Sequence, residues 1–191
     1  MKPCLCKIAV DIDEVLTPFA LPMFAYSKKH PVSKKYPYNY AKALNISSDD
    51  SVAMVNEYYS SDDFKNSQPI YGSQYALSYI AGRGFDLYAV SGRQNLARNE
   101  TEQWIETNYP YIFKDVILTN SFTNKEIKKV DICRSLAIGQ IIDDNLQICM
   151  ECESEHIKAI NFIGDPVYPW CQENSISVKK WSEIFDMFLN I

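Results

Sequence analysis

Five short apolar runs, separated by stretches of helical periodicity, constrain this chain more than any other feature of its sequence. They are Lys7–Val10 (KIAV), Asp86–Val90 (DLYAV), Asp115–Leu118 (DVIL), Gln140–Ile142 (QII) and Lys158–Ile163 (KAINFI). Each is brief and rich in β-branched or aromatic residues, the composition of a strand covered on both faces. Strands of this kind alternating with helices make βαβ units, so the pattern predicts an α/β fold with a mainly parallel five-stranded sheet flanked by helices.

The intervening helices carry readable ends. Ser73–Ala81 stops at Gly82 and Gly84, and Leu96–Asn108 ends before Pro110. Val130–Leu136 and Asn145–Glu155 fill the later crossovers. Trp181–Leu189 places Trp181, Ile184, Phe185 and Phe188 on one face, which reads as core packing. The exception is 18–70. A crossover after the first strand needs only about a dozen residues, so this segment reads as an insertion with its own structure. Within it Ser47–Ser60 reads as a helix with Ser47 or Ser48 as cap and acidic residues in its first turn, and Tyr36–Tyr40 (YPYNY) as an aromatic turn.

Composition bounds the function. With 19 Lys plus Arg against 24 Asp plus Glu the net charge is −5, the wrong sign for a surface that reads nucleic-acid polymers. No apolar run approaches the roughly 20 residues of a membrane span, and Met1–Cys6 has no export signal. The expected protein is therefore soluble and cytoplasmic. There its six cysteines are expected as free thiols rather than disulfides or a zinc site, and its two histidines, His30 and His156, as surface residues.

Charged and hydroxyl residues gather at the predicted strand ends. The first strand runs into Asp11 and Asp13 (IAVDIDEVL), the second into Ser91, Gly92 and Arg93 (AVSGR), and the fourth into Asp143 and Asp144 (IIDDN). Lys125, Lys128 and Lys129 precede the helix leading to that fourth strand. In open α/β sheets the carboxyl ends of the strands are where ligands bind. Singly, these residues have ordinary explanations: Ser91 and the Asp pair as helix caps, the lysines as a solvated face. All four groups on one rim argue for a site.

This set resembles the haloacid dehalogenase superfamily of phosphotransferases, whose motifs are DxDx(V/T) after strand one, a Ser or Thr after strand two, a Lys, and an acidic pair after a later strand. Phe19 eight residues after Asp11, the stretch DFKNSQPIYGS at Asp63–Ser73, and KKVDIC leading to IIDDN are most similar to the 5′(3′)-deoxyribonucleotidase branch and its relatives. The resemblance covers nearly the whole chain. It implies a Rossmann-like core of 1–17 and 71–191 with a small helical cap, 18–70, inserted after strand one. Two positions depart from the pattern: Glu14 stands where Gly is common, beside the metal or near the cap hinge, and Val90 where nucleotidases often have Thr.

What the resemblance implies for mechanism agrees with elementary electrostatics. A phosphomonoester dianion repels an attacking carboxylate unless a cation screens the approach, and Asp11, Asp144 or Asp143, and the Asp13 carbonyl are hard oxygen donors suited to Mg²⁺. Asp11 is the expected nucleophile, forming an aspartyl-phosphate, and Asp13 the acid and base. Ser91 and the Gly92 amide hold phosphoryl oxygens, and Lys129, with Lys125 and Lys128 as rivals, neutralises developing charge. Asp144 aligns with the metal ligand, with Asp143 behind it. Arg93 and Phe19 are expected to contact substrate, Phe19 by stacking on a base or else by packing cap against core. The expected protein is thus a Mg²⁺-dependent phosphatase acting on a small phosphorylated metabolite, a nucleoside monophosphate first, with a homodimer allowed. A sugar-phosphate or other metabolite phosphatase, and a non-catalytic binding protein on the same fold, are the alternatives.

Overall fold

The structure, a computed structural model, describes residues 4–189. Residues 1–3 and 190–191, which the expected core includes, lie outside the described residues, as does part of the Met1–Cys6 segment read for an export signal. Six strands form one sheet: β1 (Cys4–Val10), β2 (Asp86–Ser91), β3 (Phe113–Leu118), β4 (Ile138–Asp143), β5 (Lys158–Phe162) and β6 (Ser177–Val178), in the order β3-β2-β1-β4-β5-β6. All pairings are parallel. The expected count of five is corrected to six. The extra strand is a two-residue edge, too short to show a period in sequence.

In chain order the helices are α1 (Ala20–Tyr26), α2 (Tyr40–Leu44), α3 (Ser48–Tyr59), α4 (Asp62–Lys65), α5 (Ser73–Gly82), α6 (Arg98–Asn108), α7 (Lys129–Ser135), α8 (Leu146–Ser154) and α9 (Trp181–Leu189). Strand alternation divides the core. Ile8, Val10 and Ile142 face one way and pack with residues of α5, α6 and α9, while Ala9, Val90 and Ile141 face the other and pack with α7 and α8. Every residue of β4 is buried, as expected of a strand covered on both faces.

Helices α1 to α4 build a separate aromatic cluster around Phe19, Phe24, Tyr58 and Phe64, joined by Ala97 from beyond β2. As the sequence predicts, Ser47 caps α3 by accepting from the Asp50 amide (3.0 Å). Buried Trp181 of α9 donates its indole N–H to the Val15 carbonyl (2.8 Å), pinning the turn that follows β1. Gly84, with φ 89°, turns the chain out of α5 in the left-handed region that glycine tolerates.

Register sets the site. Val10 of β1 pairs with Ala89 of β2 and with Ile142 of β4. Asp11, Ser91 and Asp143 therefore emerge at neighbouring strand ends along one sheet edge. Cys133, Cys149, Cys152 and Cys171 are free thiols, whereas Cys6 is disulfide-bonded, against the expectation that all six thiols are free. Among the described residues no helix is long and apolar enough to cross a membrane.

Candidate active site

The site is built on the end of β1. The Asp11 amide makes the last ladder bond, to the Ile142 carbonyl (2.9 Å). The chain then leaves the sheet, and Asp11 Oδ1 accepts from the Ile12 amide (2.7 Å). Its Oδ2 lies 2.8 Å from Lys129 Nζ, and the same ammonium lies 2.7 Å from Asp143 Oδ2. Lys129 is the first residue of α7, while Lys128 points to an exposed pairing with Glu151 at 3.5 Å. Of the three lysines read from sequence, Lys129 is thus the one between the carboxylates. Burial alone would weaken its charge, but Asp11 and Asp143 outweigh that and hold its pKa above the ordinary lysine value.

Asp11, Asp143 and Asp144 each bring a carboxylate oxygen within 4.8 Å of the others, and all three are buried. At that separation two like charges repel by about 3 kcal/mol at an effective dielectric near 20. Burial pushes the Asp11 carboxyl up to about 7 against the pull of Lys129, with Asp143 and Asp13 adding to the rise. Asp144 is raised well above the carboxylate range by burial, then by Asp143 and Asp11.

The two members of the acidic pair differ in what they have left to give. Asp143, like Asp11, has a partner on each oxygen: Oδ2 takes Lys129, and Oδ1 accepts from the Asn145 amide (2.9 Å). Asp144 Oδ2 accepts from the Trp170 indole (2.9 Å), but its Oδ1 is buried and has no partner among the described residues. A buried carboxylate oxygen left unpaired beside two further carboxylates fits a hard divalent cation such as Mg²⁺. The residues that would hold it are Asp11 and Asp144, with Asp143 fixing Lys129 behind them.

Asp13 is not part of that triad and is held by a different cation. Arg93 grips its carboxylate from Nη2 (2.7 Å) and Nε (3.1 Å), donates from Nη1 to Thr101 (3.1 Å), and lies over the Phe64 ring at 4.7 Å. Arg93 is 2% exposed, so its guanidinium is spent on orienting Asp13, a role sequence alone did not suggest. Any bond from Asp13 to a cation is left to its backbone carbonyl, as the resemblance implies. Ser91 is fully buried, its Oγ accepting from the Arg93 amide (3.2 Å). Gly92 lies on the cavity wall, where an added Cβ would come within 3.2 Å of Ser121 Oγ.

Glu14 has the left-handed φ of 62°, a conformation that glycine adopts readily and a residue with a side chain seldom does. Its Oε1 accepts from the Phe19 (3.1 Å) and Ala20 (2.6 Å) amides at the start of α1. Of the two places expected for this carboxylate, the hydrogen bonds put it at the entry to the helical segment. Burial pushes it up to about 7, opposed by those two amides.

Above the carboxylates opens a cavity of about 600 Å³ between the sheet edge and helices α2 and α3. Asp11, Asp13, Gly92, Arg93, Lys129 and Phe19 all reach its wall. Phe19 is only 3% exposed, enclosed by Tyr40, Tyr58, Tyr59 and Phe64. Tyr38 and Tyr40 present more of themselves to the cavity. Burial, and then the acids, keep both phenols neutral by holding their pKa well above the usual value.

No protein-family model matches the chain, and no curated protein matches it by sequence. Solved structures do match it by fold. A predicted phosphatase from Clostridium acetobutylicum superposes with a TM-score of 0.70 at 15% identity, over 97% of this chain and 98% of that one. A haloacid dehalogenase-like family hydrolase from Streptococcus pneumoniae gives 0.69 at 13% identity over 95% and 97%. A protein of Lactobacillus delbrueckii subsp. bulgaricus, provisionally described as a phosphoglycolate phosphatase, gives 0.65 at 14% identity over the whole of both chains. The chain has the fold of haloacid dehalogenase-like proteins over essentially its full described length.

Proposed function

We propose that the chain is a divalent-cation-dependent phosphomonoester hydrolase that works through an aspartyl-phosphate on Asp11, with a nucleoside monophosphate as its first substrate class. The observation that carries this reading is the Asp11 carboxylate, held by Lys129 at 2.8 Å, joined to the buried acidic triad and open to a cavity of about 600 Å³. Asp11 and Asp144 would hold the cation, which would supply the charge neutralisation that lets a dianionic ester approach a carboxylate.

The chain's own residues do the rest. Asp11 is oriented by the Ile12 amide and by Lys129, and its free lone pair attacks phosphorus as the ester oxygen departs. Asp13, fixed by Arg93, gives a proton to that oxygen and then takes one from the water that hydrolyses the acyl phosphate. The Ser91 hydroxyl accepts from Arg93 and so keeps its own hydrogen for a phosphoryl oxygen, beside the Gly92 amide. Lys129 offsets charge on the phosphoryl group. Helices α1 to α4, with their own aromatic core, act as the cap over residues 18–70 and enclose the leaving group.

Support for the nucleoside over a sugar is the lining: half-buried neutral phenols at Tyr38 and Tyr40, and aliphatic side chains from α3. The test is phosphate release from nucleoside monophosphates and sugar phosphates, with Mg²⁺ and with EDTA. Asp11→Asn is expected to lose at least about 10³-fold in kcat, as loss of a nucleophile does, and wild type is expected to stop in EDTA. Turnover that survives both changes rules out the mechanism, and a preference for sugar phosphates rules out the nucleotide assignment alone.

A further inference from the structure

Beyond the phosphoryl site the cavity wall carries a charge pattern that restricts the leaving group. The charged residues lining it are Asp11, Asp13, Glu126 and Glu151 against Arg93, Lys128 and Lys129. Each cation already has an acid: Arg93 holds Asp13, Lys129 holds Asp11, and Lys128 lies 3.5 Å from Glu151. Glu126 forms no ion pair among the described residues. Its Oε2 accepts from the Phe122 amide (2.9 Å), which fixes the loop between β3 and α7 that carries Phe122, 66% exposed, to the cavity. Apart from Asp11, Asp13, Arg93 and Lys129, the lining thus holds two glutamates and one lysine, a net of −1, together with neutral Tyr38, Tyr40, Val52 and Val55.

We infer that this cavity selects a phosphomonoester whose leaving group is uncharged and flat, and rejects one bearing a second anionic group, with Glu126 and Glu151 as the determinants. The inference rests on the phosphomonoesterase reading above and deepens it. A nucleoside satisfies the rule; a bisphosphate or a phosphorylated carboxylic acid such as phosphoglycolate does not, although the fold is shared with a protein bearing that substrate's name. An anionic tail placed there meets the Glu126 carboxylate, which no cation offsets, and finds every lining cation already paired, an arrangement by which sites discriminate against a wrong partner.

A matched pair of esters isolates the charge: phenyl phosphate and 4-carboxyphenyl phosphate, assayed with Mg²⁺ at low ionic strength. Wild type is expected to favour the uncharged ester by at least about tenfold in kcat/KM, the size of one unfavourable like-charge contact. Glu126→Gln/Glu151→Gln keeps an acceptor for the Phe122 amide and frees Lys128. In that variant the preference is expected to shrink by at least about fivefold. A wild-type ratio near one, or a ratio the double variant leaves unchanged, overturns the inference while leaving the phosphatase reading standing. Should neither ester be hydrolysed, that reading fails. The charge rule is then decided by calorimetric affinities of benzylphosphonate and 4-carboxybenzylphosphonate, where equal binding overturns it and weaker binding of the carboxylated compound upholds it.

Discussion

Glu14 and Arg93 show how single side chains set the behaviour of the rim. Glu14 is 6% exposed and its acid form is favoured in the fold, with the carboxyl raised from 4.5 to about 7. Between those values the folded chain binds more protons at Glu14 than the unfolded chain does, so this residue's contribution to stability is lost as pH rises through the window. Glu14→Gln keeps an acceptor for the Phe19 and Ala20 amides but cannot ionise. Its stability relative to wild type is expected to climb between pH 4 and pH 8, by up to roughly 3 kcal/mol, as read by urea denaturation at the two pH values. A flat difference across that range would remove the buried-acid account. Arg93 predicts differently. Arg93→Lys keeps the charge but loses the fork that holds Asp13 and Thr101 together. Under the proposed mechanism its kcat for a nucleoside monophosphate should fall about 10²-fold, the cost of a misplaced acid. The fall for p-nitrophenyl phosphate should be much smaller, because that leaving group departs without a proton. Equal losses on both substrates would show that Asp13 is not the group Arg93 serves.

Elements position these residues over long sequence distances, and here sequence and structure part company. β1, β2, β4 and β5 are legible because each is an apolar run wholly inside the sheet, and α5 and α9 because glycines and an aromatic stripe mark them. β6 is not: its two residues are too few to show a period and are strand because they pair with the edge of β5. The rim acids and Lys129 are visible as strand-end and helix-start positions. The Arg93–Asp13 pair spans 80 positions and the Trp170–Asp144 bond 26. Neither has a local signature, since only the crossovers bring these residues together. Helix α9 illustrates the same dependence. Its Trp181 reads as core, but the indole N–H also closes on Val15 in the turn carrying Asp13 and Glu14. Trp181→Phe preserves the aromatic bulk and leaves the Val15 carbonyl without that donor, which should cost about 1–3 kcal/mol by denaturant unfolding. A cost near zero would mean that the turn does not lean on α9.

The fold as a whole carries an electrostatic debt at one edge that a cation would discharge. With Asp11, Asp143 and Asp144 ionised around Lys129, the cluster has a net charge of −2, and burial first, then the neighbouring carboxylates, raise Asp11 and Asp144 so that both bind a proton more readily than a free carboxylate does. A divalent ion binding only the folded chain stabilises it by about 2.7 kcal/mol at 100 times its dissociation constant. For a chain of this length that corresponds to a rise in Tm of about 5–10 °C. Calorimetric scans in EDTA and in saturating Mg²⁺ should show that rise in wild type. Asp144→Asn can still accept from the Trp170 indole but gives up the unpaired Oδ1 charge, so it should match or exceed wild type in EDTA and gain less than about 2 °C from Mg²⁺. Because the cation displaces protons from these acids, wild-type affinity should also strengthen as pH rises through about 7, the value to which Asp11 is raised. A Tm shift that Asp144→Asn retains in full, or an affinity indifferent to pH from 6 to 8, would place the cation somewhere other than this triad.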